Sequence, residues 1–204
     1  MNRFSLARVA VSLAFLVPAA VTAQQQSESY RFLQAVRDSK GDDVTKMLAR
    51  PGTTILNTHD YSSGEGALHI VVRRGDPTYL NFLLSQPGVD PNIRDNQGNT
   101  PLMLAVTLGQ DGLADTLLDN AWHKADPNVG NNSGETPLII AVHRRDISLA
   151  RALLDAGADP DETDHLAGLS ARNYAKQDSR SPILQSLLAN APKKTRAAVV
   201  GPKF

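Results

Sequence analysis

The chain has no cysteine. Disulfides, thiolate metal sites, a cysteine nucleophile and lipid attachment through a thiol are therefore excluded. Neither charge is in excess, with 21 basic and 21 acidic side chains, so no global field points to nucleic acid or to an anionic membrane. Aromatic residues make up 5% of the 204 residues, and Trp122 is the single tryptophan. There is no Gly-x-Ser-x-Gly turn and no phosphate-binding glycine loop. No pair among His59, His69, His123, His143 and His165 has the i, i+4 spacing of a helical metal site. No metal and no cofactor are expected, and nothing marks the chain as an enzyme.

Arg3 and Arg8 flank the start of an apolar run from Val9 to Val17, which Pro18 breaks. Small residues at Val21-Thr22-Ala23 then precede Gln24-Gln25-Gln26. This order is that of a cleavable secretory signal over residues 1–23, cut after Ala23. The alternative is a membrane anchor, but the run falls short of the roughly 20 residues a spanning helix needs. Export is the expectation, to the periplasm in a Gram-negative bacterium and otherwise to the medium, with no stable membrane insertion after cleavage. The stretch from Pro192 to Phe204 holds Lys193, Lys194, Arg196 and Lys203 and no acidic side chain. It is expected to be a disordered basic tail. The body from 24 to 191 holds 15 basic and 21 acidic side chains, a net charge of −6.

Four similar segments punctuate that body. They are Gly64-Glu65-Gly66-Ala67-Leu68-His69, Gly98-Asn99-Thr100-Pro101-Leu102-Met103, Gly134-Glu135-Thr136-Pro137-Leu138-Ile139 and Gly168-Leu169-Ser170-Ala171, with glycines 34, 36 and 34 residues apart. A period of this length marks a stack of small repeated units. Ala35, Val71, Ala105, Ala141 and Ala175 align, and twelve residues on come Met47-Leu48, Leu83-Leu84, Leu117-Leu118, Leu153-Leu154 and Leu187-Leu188. The spacing predicts two short antiparallel helices joined by a tight turn in each unit. Neither helix can bury its apolar stripe alone, so each unit depends on the next. Thr100, Thr136 and Ser170 are predicted N-caps, and Pro101 and Pro137 suit the first helical position. The glycine two places before each cap suits a turn at positive φ, so each unit should open on a projecting hairpin-like loop. Asp90-Pro91-Asn92, Asp126-Pro127-Asn128 and Asp159-Pro160-Asp161 should end the units, with Gly88 and Gly157 stopping the second helices just before.

The series Gly-x-Thr-Pro-Leu, a small pair, Leu-Leu and Gly-Ala-Asp-Pro resembles the ankyrin repeat, from about Tyr30 to Ala189. The resemblance implies an all-α ankyrin-repeat solenoid of stacked helix-turn-helix units. Three central repeats (about 58–94, 95–130 and 131–163) lie between two degenerate caps (about 30–57 and 164–189). It further implies a protein–protein interaction module that binds through its loop tips and concave helix face. Carried over by position, the tips are Ser62, Ser63 and Glu65, then Asn96, Gln97 and Asn99, then Asn132, Ser133 and Glu135. The helix positions are Arg73 and Arg74, Thr107 and Leu108, and His143 and Arg144, with Arg37 and Asp38 in the first unit. It also makes His69 a structural hydrogen-bonding residue.

Arg73-Arg74 and Arg144-Arg145 look equivalent, two repeats apart. They serve either carboxylates on a partner or acids of the chain itself, such as Asp76 or Asp146. Trp122 lies in a local insertion, and either anchors a partner or folds back over the outer edge. The acidic run Asp159 to Asp164 lacks the glycine and distal glutamate of a calcium loop and reads as a solvated connector. The expected partner is a protein. A second expectation is an inhibitor or immunity-type neutraliser of a toxic enzyme, and a protective accessory factor for a periplasmic enzyme is a further variant.

Overall fold

The computed structural model describes residues 19–192, with side chains from residue 28 onward. The expected cut after Ala23 falls within the first helix. The rest of the expected signal and residues 193–204 of the expected tail lie outside the described residues.

Ten α-helices form five antiparallel pairs among the described residues. They are α1 (Ala19–Arg37) with α2 (Gly41–Leu48), α3 (Ala67–Arg74) with α4 (Pro77–Leu84), and α5 (Pro101–Leu108) with α6 (Asp111–Leu118). Then come α7 (Pro137–Arg144) with α8 (Ile147–Asp155), and α9 (Ala171–Gln177) with α10 (Pro182–Asn190). The first helices pack in a row, α1 on α3 on α5 on α7 on α9, and α4, α6, α8 and α10 form a second row. No β-ladder is present among the described residues beyond one bridge between Thr163 and Ser170.

The small aligned residues sit where the rows meet: Val71, Ala105 and Ala141 are fully buried. Leu83, Leu117 and Leu153 fill the second row, all at 0% exposure. These helices have seven to nine residues beyond α1, too short to be stable alone, so their stability comes from their neighbours. Thr100 and Thr136 accept from the amides of Met103 and Ile139, both at 3.3 Å, and Ser170 does the same for Asn173. Because Thr136 is buried, Thr136→Val should lose about 1 kcal/mol by stranding the Ile139 amide, read as a lower urea midpoint at unchanged slope.

The structure corrects two register expectations. In the last unit the buried leucines are Leu184 and Leu188, while Leu187 is only partly buried. The turn after α9 is two residues longer than those of the central units and α9 is one residue shorter than their first helices, so the spacing from Ala175 is thirteen there and not twelve. Gly157 follows α8 and turns at φ 92, with its amide and that of Ala158 returning to Leu154 and Leu153. Gly88 also has positive φ, but α4 already ends at Leu84, so Gly88 belongs to the next turn.

Candidate partner-binding face

Each loop before α3, α5, α7 and α9 is a small finger organised by one side chain. Asp60, Asp95, Asn131 and Asp164 each accept two backbone amides of their own finger through Oδ1. The chain then closes across the finger, for instance from the Asp95 amide to the Asn99 carbonyl at 3.0 Å. Asp60 has its carboxyl held well below the usual carboxylate range, first by the Ser62 hydroxyl and then by the Arg37 guanidinium. At the finger's far side the backbone needs glycine for two reasons. Gly98 turns at φ 79, and a Cβ there would meet the Asn132 amide at 2.8 Å.

That close approach exists because the fingers bond to one another. The amides of Asn96, Asn132 and His165 donate to the carbonyls of Ser63, Gln97 and Ser133 at 3.1, 3.0 and 2.8 Å. Asn96 Nδ2 adds a bond to the Ser62 carbonyl and Asn132 Nδ2 one to the Asn96 carbonyl. Asn131 Nδ2 reaches Asn99 Oδ1 at 3.2 Å. The expected tips therefore form a tied row, and Asn96, Asn99 and Asn132 spend much of their polarity inside it. His69 is part of the same fabric. Its Nε2 donates to the Asn99 carbonyl at 2.9 Å, and its Nδ1 accepts from the Gly66 amide at 3.2 Å.

Side chains at the ends of the first helices lean on this row. Arg37 pairs with Asp60 at 2.6 Å, Arg73 with Glu65, and His143 Nδ1 lies 3.9 Å from Glu135. Thr107, at the corresponding place in α5, donates to the Met103 carbonyl, and Leu108 beside it is 43% exposed. These contacts put the fingers and the first-helix ends on one face. Most of the named positions meet there.

The arginines depart from their expected equivalence. Arg74 and Arg144 close α3 and α7, whereas Arg145 follows α7 at the place that Gly75 and Gly109 hold in the units before it. Internal pairing accounts for much of the group. Arg74 donates to the Val36 carbonyl at 2.6 Å, reaches Asp76 at 3.1 Å and lies over the Tyr79 ring. Arg144 donates to the Thr107 carbonyl at 2.7 Å, and Arg145 pairs with Asp178 at 2.6 Å. Asp146 instead caps α8.

Trp122 neither joins this face nor folds back. It is 72% exposed, held out by a loop that Asn120 Oδ1 ties through the Trp122 and His123 amides. His123 Nδ1 donates to the Leu84 carbonyl at 2.9 Å, so the loop hangs beside the end of α4, in the second row.

Two exposed tips carry no sequence expectation: Tyr61 at 97% and Leu166 at 84%. The signal was finger length. Asp60 to Gly64 and Asp164 to Gly168 each hold one residue more than Asp95 to Gly98 and Asn131 to Gly134. Below Leu166, the Tyr174 hydroxyl donates to Asp164 Oδ2 at 2.5 Å. That bond, aided by desolvation, pushes the phenol up to about 12 and holds Asp164 below its ordinary range. No group of three or more His, Asp or Glu suited to a metal occurs among the described residues. No helix among them is long and apolar enough to cross a membrane.

The paired helices, the bonded fingers and the Thr-Pro starts coincide with a family match. The profile of ankyrin repeats in three copies aligns with residues 32–129 and again with 68–164. The chain belongs to the ankyrin repeat family. Such repeats are, in general, protein–protein interaction modules. Over 103 residues, half of this chain, it is 30% identical to alpha-latrotoxin-Lh1a of Latrodectus hasselti and 27% identical to alpha-latrotoxin-Lt1a of Latrodectus tredecimguttatus. Over 74 residues, 35% of this chain, it is 42% identical to an ankyrin repeat protein of Acanthamoeba polyphaga mimivirus. The aligned part spans 8%, 7% and 10% of those relatives, so the likeness is to their repeats.

Proposed function

We propose that this ankyrin stack is an exported, non-enzymatic binding module of the cell envelope that holds one protein partner on its finger and first-helix face. The observation that carries the binding reading is the tied finger row with Tyr61 and Leu166 projecting from its ends and Leu108 exposed on α5. Exposed apolar side chains on a surface already fixed by internal bonds are suited to association, since little ordering remains to be done on binding. Export rests on Arg3, Arg8 and the apolar run to Val17, read as a signal.

A photoreactive side chain at Tyr61 or Leu108 is expected to capture a defined partner band from intact envelopes. The same group at Asn81, on the exposed side of α4, should capture none. Capture at Trp122 or Asn81 with none at Tyr61 and Leu108 would move the binding face to the second row. Recovery of the unprocessed chain in the cytosolic fraction alone would end the export reading.

A further inference from the structure

The turn after the first helix carries a side chain in place of glycine twice, at Ser39 (φ 57) in the first unit and at Arg145 after α7, and only Arg145 faces the lengthened turn after α9. Units two and three close their first helices on Gly75 and Gly109 in the left-handed region, at φ 73 and 67. The next unit puts Arg145 there at φ 56, a conformation that disfavours any L side chain. Such backbone persists where the surroundings hold it, and at Arg145 the Asp178 carboxylate is the group that does so. The longer turn Asp178-Ser179-Arg180 then opens a recess of about 570 Å³ against Val142, His143, Arg145 and Tyr174.

The chemistry of the recess is one-sided. Asp178 accepts Arg145 Nε through Oδ2 at 2.6 Å and Arg180 Nε through Oδ1 at 3.1 Å. One carboxylate thus faces two guanidiniums, and the Nη groups of both arginines have no partner among the described residues. Arg144 stands next to Arg145 and pairs with no acid among the described residues. The acids Glu135 and Asp164 lie toward the fingers, where His143 and the Tyr174 hydroxyl meet them. The His143 and Tyr174 rings stand edge to face, 4.5 Å between centroids at 78°, and line one side of the recess. The result is a local basic excess beside an aromatic surface, in a body of net charge −6.

We infer that this recess is a carboxylate-recognition subsite that seats an acidic side chain of the protein partner between Arg145 and Arg180, with a flat neighbouring side chain against Tyr174. Guanidinium forks with unengaged N–H groups suit a carboxylate in two-point contact. This rests on reading the first-helix face as the binding face.

The test uses the full chain and two labelled peptides of alternating Glu-Tyr and Lys-Tyr sequence, followed by fluorescence anisotropy. The acidic peptide should bind more tightly, and its affinity should fall about tenfold in Arg145→Gly. The melting temperature of that variant should not drop, because glycine relieves the left-handed backbone. Asp178→Asn removes the internal competitor and keeps both guanidiniums, so it should tighten the acidic peptide. Equal binding of the two peptides, or weaker binding in Asp178→Asn together with a lower melting temperature in Arg145→Gly, would make the arginines a structural tie alone and overturn the subsite. Capture through Leu108 is independent of these outcomes and separates failure of the subsite from failure of the face.

Discussion

Leu117→Ala should lower the unfolding free energy by about 3 kcal/mol and the melting temperature by roughly 6–12 °C. Leu117 is at 0% exposure in α6, which packs on α4, α5 and α8. Removing its branched end withdraws apolar surface from burial and leaves a void between two units at once. In a linear stack the central interfaces link the stability of the halves, so the loss should broaden or split the transition as well as lower it. Circular dichroism against temperature, with a urea series at fixed temperature, reads both quantities. The last unit supplies the internal control. Leu188 is fully buried and Leu187 only partly, so Leu188→Ala should cost clearly more than Leu187→Ala. The reverse order would restore the twelve-residue spacing and contradict the turn described after α9. A central Leu117→Ala chain as stable as the parent would mean that the units do not depend on one another.

The helix starts, the small buried residues and the leucine layer were legible because each follows from a local rule repeated at a fixed period. Thr100-Pro101 and Thr136-Pro137 show why: cap and first-turn chemistry involves only neighbours in sequence. The bonds between units were not legible, because each joins residues some thirty positions apart. Asn57, Asn92 and Asn128 illustrate this. Each side-chain oxygen accepts the backbone amide of the following unit's Asp90, Asp126 or Asp159, at 2.9, 2.8 and 2.6 Å. The shared Asn after Pro91 and Pro127 is visible in the sequence, but its neighbours there account only for a helix stop. The candidate face was legible as a set of positions but not as a set of free groups, since the period gives an address and says nothing of partners. Arg74 and Asn96 lie where expected and are engaged inside the stack. Tyr61 and Leu166 escaped because an extra finger residue breaks the alignment by which positions were carried over.

His69→Met should cost about 2–3 kcal/mol near pH 7.5, and that cost should shrink as the pH falls. His69 is at 0% exposure, and both of its ring nitrogens are used. A carbonyl can only accept, so Nε2 carries the proton toward Asn99 and Nδ1 must stay unprotonated to accept from Gly66. Methionine fills similar space, as Met103 does at the same position in the next unit, but strands the Gly66 amide and leaves the Asn99 carbonyl with the Asp95 amide alone. Burial pulls the imidazole below its ordinary value near 6.5, and the bond to the Asn99 carbonyl and the charges of Asp95 and Glu65 offset this only in part. The folded-state value is thus the lower one. Well above about pH 6.5 neither state is protonated and the full contribution is present. As the pH drops from there through the folded-state value, the unfolded chain takes up the proton first, so stability is lost on acidification. The parent should therefore show an extra decline in unfolding free energy over the window below the imidazole's ordinary value near pH 6.5 that His69→Met lacks, and the two curves should converge. Curves that stay parallel across that window would show that the ring accepts a proton as readily in the stack as in the unfolded chain, and the bond from Gly66 could not then be what holds the start of α3.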